Sequence, residues 1–519
     1  MVNARVDGSG TRRASKGVLA ALLAALIAGC GGGGGGESAN NPPVGVQAQA
    51  CSPNNPYRAD ATAATSIGSL ATEKAWLRDY FDRQYLWYAE VPSVNAAAAI
   101  YSNENDVYTS LDNYFEALKT PATTASGARR DKFSFTYPTR AWDQLMNSGA
   151  SLGYGIEWYF ASATAPRGIR VAFVHVGSAA ASAGILRGDT LVLADNVGAD
   201  DNTPAGVATL NAALFPSSAA THTFRFSRNG AVFDRSLTAG TVTQTSVDHR
   251  VLAVGGSNVG YLLFNDHLLT AEQPLITAMQ ALKNANVTDL VLDLRYNGGG
   301  YVYIASELAY MIAGATPTTN MVFERTLFND KRSAENDVTP FFNTACVPDA
   351  VTFACTSTAA LPTLNLSRVY VLASGSTCSA SEAVINGLRG VNIDVRLIGS
   401  TTCGKPYGFY GADNCGISYF PMEFRGVNAK GFGEYSDGFV PSAVGNAGAA
   451  VPGCNATDDL NHALGDPAEG QLAAALQLRG SGSCPVAAGR ETPLALSRPA
   501  LGVQRPIAMT QRYGRLPKR

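Results

Sequence analysis

A chain of 519 residues exceeds what one ordinary core accommodates, so two or three domains joined by linkers are expected. Apolar residues make up 46% and charged residues 15%, with a formal net charge of −2. That balance excludes a basic surface for nucleic acid and leaves ample material for burial.

The first 30 residues read as an export signal: Arg12, Arg13 and Lys16 precede the apolar run Val18 to Ala28, which ends in Ile27-Ala28-Gly29-Cys30. The run is too short to span a bilayer. Small residues directly before a cysteine resemble the bacterial lipobox. This implies that Cys30 is lipidated and anchors the mature protein in the bacterial cell envelope, facing the periplasm or exterior. Residues 31–50 open with a run of glycines and continue with Pro, Asn and Ser, the composition of a flexible leash.

Eight cysteines follow Cys30, an even number that in an exported chain suggests disulfides. No CxxC pair or histidine cluster suggests a metal, so no cofactor is expected. His175, His222, His249, His267 and His462 stand isolated and read as surface or core residues.

Residues 51–148 read as a small helical N-terminal domain. Trp76, Leu77, Tyr80, Phe81 and Trp87 recur at helical spacing over Glu73 to Tyr88, and a second helix covers Val107 to Leu118. Residues 149–245 switch to short β runs separated by Gly, Pro and Ser turns. Within them, Ser178 to Asp189 resembles the short helix and turn of bacterial PDZ domains. Gly153-Tyr154-Gly155-Ile156 resembles their carboxylate-binding loop, which receives a peptide C-terminus on backbone N–H groups. Between 250 and 485, strands and helices alternate: strand Val259 to Phe264, helix Ala271 to Asn284 and strand Asp289 to Leu294. A helix through Ile304 and Ile312, strand Arg368 to Ala373, helix Ala380 to Arg389 and strand Val395 to Ile398 follow. This order predicts an α/β core of βαβ units around a largely parallel sheet. Residues 486–519, rich in Pro and Arg, read as a disordered tail.

Ser379 lies between an apolar strand and a helix, where free backbone N–H groups and the helix dipole meet a developing oxyanion. Position alone favours a serine that merely caps the helix. Lys405 follows the next strand, so the crossover returns it to the same sheet edge. A lysine flanked by uncharged residues can be desolvated into a neutral amine that accepts the serine proton, and only Asp413 offers a carboxylate nearby in sequence. The turn Asn297-Gly298-Gly299-Gly300 lets backbone approach a substrate closely. Cys403 and Cys415 bracket the lysine loop, and a disulfide between them is expected to fix it.

Together these motifs resemble the C-terminal processing (tail-specific) serine peptidases, relatives of the tricorn core. Asp293-Leu294-Arg295-Tyr296-Asn297-Gly298-Gly299-Gly300, Ser379-Ala380-Ser381-Glu382, Gly404-Lys405 and Gly438-Phe439-Val440-Pro441 carry the resemblance. It implies Ser379 as nucleophile, Lys405 as general base, and Ala380 with Gly299 as oxyanion donors. It also implies protein or peptide substrates recognised at the C-terminus. Phe409 and Pro406 depart from the family pattern, so the residue orienting Lys405 is not named by it.

Two other readings compete. Gly149-Ala150-Ser151-Leu152-Gly153 matches a Gly-x-Ser-x-Gly elbow, but with helix-like sequence before it and strand-like sequence after it, the reverse of what that motif needs. A non-catalytic envelope lipoprotein that binds peptide C-termini would need none of the serine, lysine and glycine turn.

Overall fold

The computed structural model describes residues 46–485, except 163, 349–354 and 444. The export signal, Cys30 and the C-terminal tail lie outside the described residues. Among the described residues no helix is long and apolar enough to cross a membrane.

The core is a seven-stranded sheet in the order Val247–Val254, Ser257–Phe264, Asp289–Asp293, Arg368–Ala373, Asp394–Gly399, Ala450–Asn455, Val440–Ser442. Only the first pair is antiparallel; the other neighbours run parallel. Parallel strands covered on both faces need continuous apolar runs, and Leu290, Val291 and Leu292 or Val369 to Leu372 supply them. Helices Glu272–Asn284, Val302–Ala313 and Ala380–Gly390 make the crossovers. The expected βαβ core is therefore present.

Residues 156–238 form a second, antiparallel sheet ordered Ala231–Thr238, Thr221–Arg228, Thr190–Ala194, Arg170–Val174, Ile156–Tyr159. It has its own apolar cluster, including Tyr154, Val171, Phe224 and Phe226. The strands Ala150–Gly153 and Gly240–Thr243 pair with each other, so the chain enters and leaves this module at one place. Helix Thr139–Ser148 precedes the strand that holds Ser151, the order expected to disqualify the Gly-x-Ser-x-Gly match.

The N-terminal helices are Leu70–Gln84, opened by a capping box of Ser69 and Thr72, and Val107–Leu118. The first ends four residues before the expected Tyr88, because Tyr85 turns extended at φ −65°, ψ 132°. This region does not keep a core of its own. Leu77, Phe81 and Phe115 belong to the same apolar cluster as Leu292 and Ile385, and strand Phe135–Pro138 pairs with Ile417–Phe420.

The expected Cys403–Cys415 disulfide is not formed. Cys403 bonds Cys378, Cys415 bonds Cys51, and Cys454 bonds Cys484. Pairing follows which loops the sheet brings together, and Cys415 faces the N-terminal segment rather than the lysine loop.

Candidate active site

Three turns leave the C-terminal ends of adjacent parallel strands: 294–300 after Asp289–Asp293, 374–379 after Arg368–Ala373, and 400–405 after Asp394–Gly399. Open α/β sheets place their sites on this edge.

Ser379 is fully buried at the start of helix Ala380–Gly390, with φ 56° and ψ −113°. A non-glycine residue there is strained by about 1–3 kcal/mol and persists only when its surroundings hold it. They do: Cys378 N–H donates to Asn297 O at 3.0 Å, Ser381 Oγ donates to the same carbonyl at 3.1 Å, and Ser379 N–H donates to Glu382 Oε2 at 3.0 Å.

Glu382 reaches further. Its Oε2 also accepts the Lys405 N–H at 2.8 Å, and its Oε1 accepts Thr402 Oγ1 at 2.5 Å and Gly404 N–H at 2.9 Å. Burial raises the Glu382 carboxyl above its ordinary range, and these four donors pull against that rise. An ionised carboxylate is acceptor-only, which suits four donors and no acceptor. One buried anion thus ties the Ser379 turn to the Lys405 loop.

Lys405 is fully buried, its Nζ 4.8 Å from the Phe409 ring centre and 5.3 Å from that of Phe133. Phe409 is therefore an apolar wall, and the N-terminal region contributes Phe133 beside it. Asp413, the one carboxylate nearby in sequence, does not face Lys405. Its carboxylate binds Thr62, Gln49 and Thr139, and the carboxylate at the lysine loop is Glu382, which sequence distance hid.

Gly299 stands against the nucleophile. With φ +102°, an added Cβ would lie 2.8 Å from Cys378 O, 2.9 Å from Ser379 Cβ and 3.0 Å from Ala380 N. Its N–H, expected to serve an oxyanion, instead donates to Asn297 Oδ1 at 2.9 Å. Ala380, as the first helical residue, carries an N–H that the intrahelical ladder leaves without an acceptor.

His267 lies beside this turn. Its N–H donates to Gly299 O at 3.1 Å and its carbonyl accepts from Tyr301 at 2.8 Å. Asn297 Nδ2 donates to Phe264 O, so Oδ1 is the acceptor and the His267 Nδ1, 3.0 Å away, carries the proton. Burial pushes the His267 pKa down to about 3, which keeps the ring neutral.

The turn is anchored from below by Arg295, fully buried, which donates to Asp293 at 3.0 Å, Asp458 at 2.8 Å and Glu469 at 2.7 Å. Burial alone would raise the Asp458 carboxyl, but Arg187 and Arg295 outweigh it and hold its pKa at about 2. Arg187, from the β module, bonds both Asp458 and the Tyr296 hydroxyl. The module is thus joined to the residue that precedes Asn297.

The remaining sequence candidates belong to the β module. Gly153 closes its short strand, and Tyr154 packs its ring on Phe224 at 5.3 Å as a core residue. Gly155, at φ +82°, has Ser178 Cβ where a Cβ would stand, 2.2 Å away. Ile156 begins the strand at the edge of the module's sheet.

The model of peptidase family S41 matches residues 258–408, and that of the peptidase S41 N-terminal domain matches residues 72–135. Over these residues the chain is similar to peptidase family S41. Its S41 match encloses the glycine turn, Ser379 and Lys405. A match to this family indicates a serine peptidase. Among solved structures, an S41 protease from Bacteroides fragilis NCTC 9343 shares 21% identity at a TM-score of 0.57, over 79% of this chain and 97% of that one, and so has the same fold. A photosystem II D1 C-terminal processing protease aligns at 18% identity and a TM-score of 0.42, over 73% of this chain and 93% of that one. No curated protein matches the chain.

Sequence reasoning missed Glu382 and His267 as parts of the site, and it named Asn297 only as the start of the glycine turn. Glu382 stood inside a quoted motif, and its position one turn after a strand-to-helix serine was the available signal. His267 offered none, because its relation to Gly299 exists only across two strands.

Proposed function

We propose that this chain is an endopeptidase of the C-terminal processing type, in which Ser379 attacks the peptide carbonyl and Lys405 accepts its proton. The reading rests on one observation above all. The Glu382 carboxylate accepts from the main chain of both residues, so serine and lysine stand on two sides of one buried anion. Glu382 spends its oxygens on backbone and hydroxyl donors, and the Lys405 amine sits between aromatic rings. Low-polarity surroundings of that kind favour the neutral amine a base requires. Ala380 N–H at the helix start is the oxyanion donor in this scheme. No cofactor enters it.

Substrate C-termini bind, in this reading, along Ile156–Tyr159. That strand pairs on one side only, with Arg170–Val174, so an extended peptide can add to its other edge. The Gly153 to Ile156 turn would then meet the terminal carboxylate. The disulfides fit an oxidising compartment, in keeping with export and a lipid anchor at Cys30.

The test is kinetic. Ser379→Ala and Lys405→Arg should both lose hydrolysis of unstructured peptides while melting like the parent chain, since guanidinium cannot accept the proton. A fluorophosphonate should label the parent and not Ser379→Ala. Substantial turnover by Lys405→Arg removes lysine as the base, and peptide binding without cleavage by the parent chain favours a non-catalytic binder.

A further inference from the structure

The Cys378–Cys403 disulfide ends one residue before Ser379 and two residues before Lys405. Two further disulfides end away from both: Cys51–Cys415 ties the N-terminal segment to the core, and Cys454–Cys484 ties a sheet strand to the chain after helix Gly470–Ser481. A disulfide ordinarily stabilises by restricting the unfolded chain. Here the native tips gain the constraint as well. Arg368–Ala373 and Asp394–Gly399 are already paired through Ala373 and Gly399, so the bond closes a loop that the sheet has closed. What it adds is a link between the two tips beyond that last pair, Ser374 to Cys378 and Ser400 to Cys403, with Cα atoms 5.2 Å apart. Beyond this bond the tips are joined by the Cys403 N–H to Thr377 O, at 3.1 Å, and by the Glu382 carboxylate.

We propose that the Cys378–Cys403 disulfide is a positioning element of the active site, which holds strained Ser379 at its working distance from Lys405, so that turnover requires the oxidised pair. The proposal rests on the Ser379–Lys405 reading given above. Opening the bond with a dithiol transfers two electrons and two protons, leaving two protein thiols and a cyclic disulfide of the reductant. Cys403 Sγ lies 3.4 Å from Glu382 Oε2, so the thiol released there becomes a new donor to the oxygen that holds the Ser379 and Lys405 N–H groups. The Ser379 turn, at φ 56°, is then free to relax. A misplacement of about 1 Å at reacting atoms can cost about 100-fold in rate. Substrate binding on the separate β module is not touched. The enzyme would thus be silent in a reducing cytosol and active once exported.

The experiment compares Cys378→Ala/Cys403→Ala with Cys454→Ala/Cys484→Ala in the otherwise complete chain, measuring kcat, KM and the melt. The first pair should lose about 10- to 100-fold in kcat with KM changed less than about threefold. The second should keep kcat. A purely stabilising bond would lower the melt and leave kcat alone, and kcat within twofold of the parent in a folded Cys378→Ala/Cys403→Ala variant overturns the proposal. Should that variant not fold, dithiothreitol decides on the parent chain: kcat is read during reduction, and opening of the pair is counted by alkylation of quenched aliquots. Activity that falls with the opening and returns on reoxidation supports the proposal; activity that persists with the pair open overturns it. Ser379→Ala in the oxidised chain separates the two ideas. If it still cleaves, the nucleophile reading fails. If it is inactive while opening the pair leaves kcat unchanged, only the disulfide's role falls.

Discussion

Glu382→Gln tests whether one carboxylate ties the two halves of the site. Glutamine keeps one carbonyl oxygen and turns the other into an NH2 donor. If the NH2 faces Ser379 and Lys405, both backbone donors at 3.0 and 2.8 Å lose their acceptor. If it faces the other way, Gly404 N–H at 2.9 Å is opposed outright, and Thr402 must reverse a hydroxyl whose oxygen already accepts from Phe439 N–H at 2.7 Å. Either placement removes one to two buried hydrogen bonds to a charged group, each worth about 1.5–3 kcal/mol. A loss of about 2–5 kcal/mol is therefore expected, a large share of a domain's total stability. Glu382→Ala would strand four donors and threaten the fold, which makes glutamine the informative change. Urea unfolding with an unchanged slope measures the loss. Initial rates on the folded fraction should fall at least about tenfold, because the Lys405 loop moves. A stability change below about 1 kcal/mol together with parental kcat would refute the tie.

Gly299→Ala should nearly abolish hydrolysis and destabilise by about 1–3 kcal/mol, since the new Cβ meets Cys378 O and Ser379 Cβ below 3 Å at φ +102°; parallel melts and kinetics check it. Glu307 is almost wholly buried, and burial, aided by Glu272 and opposed by the Cys346 N–H, pushes its pKa up to about 9. The folded chain therefore keeps a proton that the unfolded chain has lost between about pH 4.5 and about 9, and stability falls as pH rises through that window. Glu307→Gln, neutral throughout, should flatten this decline, so its urea midpoint should gain on the parent from pH 5 to pH 9.

The parts of this site legible in the sequence were those set by local pattern. Ser379 and Lys405 could be placed because each follows a short apolar strand, and parallel strands joined by right-handed crossovers deliver such residues to one sheet edge. The helix Val107–Leu118 was read with its observed limits, because an amphipathic stripe over three turns is a strong signal. The limits of Glu73 to Tyr88 were not, since the helix ends where Tyr85 packs into the core rather than at a glycine or proline. Gly299 was recognised as close to substrate chemistry, but the partner of its N–H was not. An N–H direction depends on Asn297, whose side chain is aimed by Phe264 from another strand.

Chain order, strand–helix alternation and residue type, all local quantities, were enough to read the α/β core and the β module after the N-terminal helices, and to bring the serine, lysine and glycine turn to one sheet edge. The tertiary structure alone decided the rest. Cys403 bonds Cys378 and not Cys415; Glu382, not Asp413, faces the lysine loop; and the N-terminal helices share the catalytic core instead of standing apart. Each of these depends on distance in space between segments far apart in the chain. A disulfide needs its sulfurs together, a hydrogen bond needs about 3 Å, and burial needs neighbours on every side. Sequence separation constrains none of these until the sheet has formed.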